Sequence, residues 1–203
     1  MNISTSSTHV RRYVQKIEKV APPQPEPMPL LCFNLTTKEL RTSDVVSMCA
    51  DGEESLGTTE IVHLEVPPTS LNRTLEIRFL AAQAEALKLG ISLQITSGFR
   101  SRDLQAQLHA NAVRKYGSEE EASKWVLPRE VSHHPWGTAI DINYPGDPVA
   151  DKWLEENGNL FGLCRVYENE WWHFEPTIAP GESCPPMLSN ALGSLPSDES
   201  VNN

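Results

Sequence analysis

The sequence predicts an α+β fold: a small antiparallel sheet with helices packed on it. Three observations lead there. A long segment near 70–90 repeats its apolar residues at helical spacing between clear start and stop signals, and a second, 101–117, is opened by Ser101 and closed by Gly117. Beyond residue 137 the apolar runs are short and strand-like, and the last two lie close enough in sequence to pair as a hairpin. Helices come first and antiparallel strands later, without the regular strand–helix alternation of a parallel sheet. With 203 residues and 39% hydrophobic residues, the chain suffices for one domain with a real core.

In chain order, residues 1–29 end in "PPQPEPMP" and read as a proline-rich tail or linker. "LCFNLTTKEL" reads as a short strand and a turn, and "EIVHLEV", near residue 63, alternates like a second strand. "PPTSLNRTLEIRFLAAQAEALKLG" is a helix that Thr69 or Ser70 can cap and Gly90 ends, with Leu75, Phe79 and Ala82 to Ala86 on its apolar face. Ile91 to Thr96 is a strand. Ser101 opens a second helix closed by Gly117, and Ser118 with Glu121 forms a capping-box pattern for a short third one. "TAIDINY" is a strand after a turn at 135–137, and "DPVADKWLEENG" is a helix ending at Gly158. "LCRVYEN" and "WWHFEPTI" are the last strands, a hairpin through Glu168 and Asn169. The domain is expected to span 30–184, and the polar, aperiodic residues 185–203 read as a disordered tail.

Charge narrows the partners. A net charge of −10 and a pI near 5.1 argue against nucleic acid and against a polybasic membrane anchor. No stretch reaches the roughly 18 consecutive apolar residues of a membrane helix. The first 27 residues carry Arg11-Arg12 but no apolar run, so no signal peptide is expected within this chain. A monomer is expected. Cys32, Cys49, Cys164 and Cys184 contain no C-x-x-C pair, which weakens a four-cysteine zinc reading. Disulfides 32–49 and 164–184 fit better and favour an oxidising compartment; four separate buried thiols are the other reading.

The chemistry concentrates in "VSHHPWGTAIDI", residues 131–142. Ser132, His134, Gly137, Ala139 and Asp141 stand at S-x-H-x-x-G-x-A-x-D. A turn at Gly137 can fold His134 and Asp141 onto one ion, and imidazole with carboxylate suits Zn²⁺. An acid inside the apolar run "AIDI" needs a partner. A catalytic site requires a third ligand, which "ENEWWHFEP" offers as His173, with Glu170 three residues earlier as the natural general base. On a regular strand these two would face opposite sides, so either the chain bends between them or Glu170 sits in the turn before the strand. Upstream, "SGFRSRDLQAQL" places Arg100 at a strand-to-helix junction, where its fork can hold a carboxylate or a developing oxyanion. Gln105 follows inside the helix.

Together, S-x-H-x-x-G-x-A-x-D, E-x-W-H and the upstream S-G-F-R-S-x-x-x-Q resemble the D-alanyl-D-alanine carboxypeptidase and dipeptidase family. This is the vancomycin-resistance type within the LAS zinc peptidases, a group that includes the Hedgehog zinc fold. The resemblance covers about residues 90–176. It implies zinc ligation by His134, Asp141 and His173, a catalytic base at Glu170, and Arg100 near the scissile carbonyl with Gln105 and Ser132 helping to hold the peptide. His133 leaves open which histidine binds, and the spacing to Gly137 favours His134. The implied activity is zinc-dependent D,D-carboxypeptidase hydrolysis of the terminal D-Ala-D-Ala bond of peptidoglycan stem peptides. Alternatives are another cut in the same polymer (L,D-carboxypeptidase, D,D-dipeptidase or endopeptidase) and a non-catalytic zinc-stabilised binding module. The substrate implies extracytoplasmic work, in the cell envelope or outside it.

Overall fold

The structure, a computed structural model, describes residues 30–43, 48–61 and 68–195. The expected strand "EIVHLEV" falls largely outside them, as do residues 1–29 and 196–203.

Near the N-terminus, β1 (Leu31–Asn34) is flanked by β2 (Leu40–Thr42) and β3 (Glu53–Ser55) in one antiparallel sheet of order β2-β1-β3. Asn34 shapes the β1–β2 turn, its side chain accepting from the amides of Thr36 and Thr37, a local alternative to a ladder bond. The Cys32–Cys49 disulfide joins β1 to the segment before β3. Strands β2 and β3 escaped the sequence reading because three residues are too few to display a period of two.

Helix α1 (Arg73–Lys88) is capped by Asn72, whose side chain accepts from the Leu75 amide, and not by Thr69 or Ser70. The cap moves down the chain because the Asn72 amide is itself tied to the Gly137 carbonyl, which fixes where the helix begins. Its buried Leu75, Phe79, Ala82 and Ala86 meet Phe33, Leu56, Ile140, Ile142 and Phe174 in one core, so both sheets pack on the same helix. Arg78 is 0% exposed and donates to the carbonyls of Leu56, Thr59, Gly162 and Ile178. One guanidinium thus ties α1 to three other segments, at 56–59, 162 and 178.

Helix α2 (Arg102–Tyr116), capped by Ser101 and stopped by Gly117 at φ 89°, follows its sequence punctuation, as does α3 (Glu119–Ser123), capped by Ser118. Helix α4 (Pro148–Asn157) starts at Asp147 and continues as a 3-10 turn over Gly158–Phe161.

The second sheet runs β4-β5-β7-β6, antiparallel throughout. Strand β4 (Ile95–Ser97) is shorter than expected. The Ile91 amide bonds back to Ala86 at the helix end, and that of Gln94 goes to the Asn143 side chain, so neither joins a ladder. Strands β5 (Ile140–Ile142) and β7 (His173–Glu175) are buried along their length, and β6 (Cys164–Arg165) pairs with β7 as the expected hairpin, with residues 166–172 as its connection.

The reading of 185–203 as a disordered tail is corrected as far as residue 195. The Cys164–Cys184 disulfide anchors this segment. Leu188 bridges Tyr167, Ala191 is buried with Leu127 and Tyr167, and Ser194 shares a hydrogen bond with the Tyr167 hydroxyl. A covalent tether, a backbone bridge and one buried alanine hold a stretch whose own sequence shows no periodicity.

Candidate metal centre

The sheet register assembles the site. Asp141 on β5 lies directly opposite His173 on β7, and Ser97 on β4 is its partner on the other side. His134 arrives from the turn before β5, a 3-10 turn over His134–Trp136 ended by Gly137 at φ 68°. Only glycine fits there. A Cβ would stand 2.5 Å from the Ser70 carbonyl oxygen, and the Gly137 carbonyl accepts from the Asn72 amide at 2.9 Å. The start of α1 therefore holds the histidine turn in place.

His134, Asp141 and His173 each bring a ligand atom to within 4.8 Å of the others, and all three are buried. Their orientation is set from outside. His134 Nδ1 is 2.7 Å from the Gly98 carbonyl, which leaves Nε2 toward Asp141 Oδ1 at 3.4 Å. His173 Nδ1 lies 3.1 Å from the same oxygen. Asp141 Oδ2 pairs with Arg100. Two imidazoles and a carboxylate, converging in a buried cluster with their outer atoms engaged, form a donor set suited to Zn²⁺. The electrostatics agree with a site made for a cation. Burial opposes charge on His173, yet hydrogen bonds to Asp141 and Glu175 push its pKa up to about 10. Burial likewise works against ionised Asp141, but the two histidines hold its carboxyl well below the usual range.

Glu170 sits in the turn before β7, where the His173 amide bonds to its carbonyl, so the conflict between strand geometry and the i, i+3 spacing is resolved by the turn. Its Oε2 is 3.8 Å from His173 Nδ1, and its buried Oε1 has no hydrogen-bond partner. Burial lifts the carboxyl to about 7, with Asp141 adding to the effect and His173 and Arg100 opposing it. That is the range a general base needs near neutrality.

Arg100 lines the same cleft, held by Ser97 through Nε at 2.8 Å and by Gln105 through Nη1 at 3.2 Å. Gln105 is 1% exposed, and its amide nitrogen donates to the Leu127 carbonyl. Both ends of Gln105 are thus engaged by the protein, and it braces Arg100. Ser132 is buried in the cleft wall. His133 points elsewhere, with Nδ1 2.6 Å from Glu175 Oε2. The other Glu175 oxygen is 2.8 Å from His173 Nε2. Glu175 was passed over in the sequence, although its place two residues after His173 on a strand puts both on one face.

The cleft has a volume of about 870 Å³. One wall is the α2 face bearing Gln105, Leu108, Ala112 and Tyr116, and Trp125, Tyr144 and Trp172 also line it.

A buried His-Asp-His cluster beside a carboxylate with one oxygen free of hydrogen bonds, at the base of an open cleft, defines a metallohydrolase-type centre. The family profile VanY, D-alanyl-D-alanine carboxypeptidase, matches residues 68–175. The chain belongs to that family and is one of its metallopeptidases. No curated protein matches it. Among solved structures, it is similar to a vancomycin-resistance D,D-pentapeptidase VanY in complex with Zn(II), at 22% identity over 57% of this chain and 78% of that one, TM-score 0.48. VanYB in complex with D-alanine-D-alanine is 24% identical over 52% and 70%, TM-score 0.48. The LdcB LD-carboxypeptidase is 22% identical over 62% and 75%, TM-score 0.48.

Proposed function

We propose that this cell-wall peptidase is a zinc D,D-carboxypeptidase that removes the terminal D-alanine from peptidoglycan stem peptides. The observation that carries the reading is the convergence of His134, Asp141 and His173 beside Glu170, whose free oxygen faces no protein partner. His134, Asp141 and His173 would hold the ion, and bound Zn²⁺ supplies Lewis-acid chemistry, polarising a carbonyl and acidifying water. The chain's own groups do the rest. Glu170 takes the proton of the attacking water and returns it to the amine of the departing D-alanine as the peptide C–N bond breaks. Arg100, fixed by Ser97, Gln105 and Asp141, presents positive charge to the developing oxyanion. Ser132 contributes to the wall against which the peptide end lies.

Cleft length supports a stem peptide over a free dipeptide. From Gln105 to Tyr116 the α2 wall extends ~16 Å, about the span of five extended residues. Two disulfides and the substrate together support work outside the cytoplasm.

The test is to incubate the zinc-loaded protein with pentapeptide, tetrapeptide and D-Ala-D-Ala, each with and without chelator, and weigh the products. The expected result is loss of one D-alanine from the pentapeptide, abolished by chelation. Preference for the tetrapeptide or the dipeptide would replace this specificity with another, and cleavage untouched by chelator would end the zinc reading.

A further inference from the structure

The carboxylate behind His173 has a function of its own at this centre. A neutral imidazole has one N–H donor and one lone pair, and only the lone pair can bind a metal. Which nitrogen carries which is decided by the hydrogen bond on the far side of the ring. For His134 the decision is made by backbone: Nδ1 faces the Gly98 carbonyl, which only accepts, so Nδ1 carries the proton and the Nε2 lone pair faces Asp141. For His173 the far partner is a side chain. Its Nε2 meets Glu175 Oε1 at 2.8 Å, and its Nδ1 faces the cluster.

Glu175 is itself well placed to be rigid. It is 3% exposed, lies on β7 at the face shared with His173, and has its second oxygen on His133 Nδ1 at 2.6 Å. His133 adjoins His134 in the chain, so this carboxylate spans from the strand carrying one imidazole to the turn carrying the other. We infer that Glu175, backed by His133, is a positioning residue: it sets the tautomer and ring angle of His173 and locks the two histidine-bearing segments together. This rests on the zinc reading above. It also gives His133 a function distinct from ligation, namely to hold the carboxylate that holds the ligand.

A residue that merely stabilises the fold would lower the melting temperature without changing how the folded protein binds metal. A positioning residue would grade metal affinity and ligand-field geometry. The experiment uses the full chain with its disulfides intact, comparing wild type, Glu175→Gln and Glu175→Ala. Zinc affinity is measured by competition with a chromogenic chelator, the visible spectrum is recorded with Co²⁺ in place of zinc, and apo-protein melting and circular dichroism serve as controls. Glu175→Ala is expected to bind zinc ~10- to 100-fold more weakly. Its cobalt bands should shift, while the apo protein remains folded. Glu175→Gln keeps an acceptor for the Nε2 proton but not the charge, and should fall between the two. A loss of less than about 10-fold in Glu175→Ala, with a wild-type cobalt spectrum, overturns the inference. If the alanine variant does not fold, the glutamine variant decides, and zinc binding there indistinguishable from wild type overturns it. Wild-type protein that binds no zinc would bring down the zinc reading itself. Tight wild-type binding with unaffected variants would bring down only the function assigned to Glu175.

Discussion

Asp141 divides its two oxygens, one toward both histidines and one toward Arg100, and this places a cation site and a fixed positive charge side by side. Glu170 lies beside that network, 3.8 Å from His173, but outside the His134, Asp141 and His173 cluster, which is why its replacement is informative. If Glu170 is the base proposed above, Glu170→Ala is expected to lower kcat by ~10²- to 10⁴-fold while zinc affinity stays within twofold, since it is not among the three clustered candidate ligands. Steady-state kinetics and chelator competition check the two halves. The same residue predicts the pH profile. A base must be ionised, and burial pushes the Glu170 carboxyl up to about 7. A dication beside it favours the carboxylate, so the acid limb of kcat/KM should fall at or below pH 7, with activity declining as pH drops through it. An acid limb well above pH 7 would assign the base to another group.

At the scale of elements, the site depends on turns as much as on strands. Gly137→Ala would drive a methyl group into the carbonyl at the start of α1 and force a left-handed φ on alanine, at a cost of at least ~1–2 kcal/mol. Because the displaced turn carries His134, zinc affinity should fall together with the melting temperature, unlike the outcome for Glu170→Ala. Helix α4 offers a pH-dependent test far simpler than the metal centre. Asp151 is buried with no hydrogen-bond partner for either oxygen. Burial first, then the charge of Asp147, pushes its carboxyl up to about 8. A raised acid binds its proton more tightly in the folded state. Its stabilising contribution is complete below the unfolded value near 3.8 and is lost as pH rises through about 8. Asp151→Asn should therefore gain on wild type in urea midpoint steadily between pH 4 and 8, then level off. A pH-independent difference would refute it.

At the scale of the whole molecule, two devices fasten what lies outside the catalytic sheet. The first is Arg78, whose loss would strand the buried carbonyls of Leu56, Gly162 and Ile178. Arg78→Met is expected to destabilise the fold by about 3 kcal/mol or more, read from urea unfolding. The second is the Cys164–Cys184 disulfide, which closes a loop of 20 residues. Replacing both cysteines with serine should cost roughly 3 kcal/mol and release the segment up to residue 195, with the three ligand side chains still in place. Hydrogen exchange of residues 184–195 would report that release directly.

Much of this molecule was legible before any coordinates. Helices α2 and α3 announced themselves through Ser101, Gly117 and Ser118, because caps are local chemistry between a side chain and amides two or three residues away. That His134, Asp141, His173 and Glu170 meet in one cleft was legible because the chemistry they suggest restricts residue type and spacing, and that Arg100 joins them because a strand-to-helix junction faces a cleft. The two disulfide pairs followed from separation along the chain. Other features were invisible to local pattern. The cap of α1 shifted to Asn72 because a carbonyl some 65 residues away fixes the Asn72 amide. The strand before α2 shrank because Asn143 claimed an amide from it, and residues 185–195 were ordered by a tether and by contacts with Tyr167. Glu175 and His133 acquired their significance only when β7 was laid beside the histidine turn. Sequence determined which side chains are candidates for the proposed chemistry, since that is fixed by residue type and short-range spacing. Only tertiary structure decided which nitrogen each histidine turns inward, since a ring's orientation is set by partners that the chain brings together from afar.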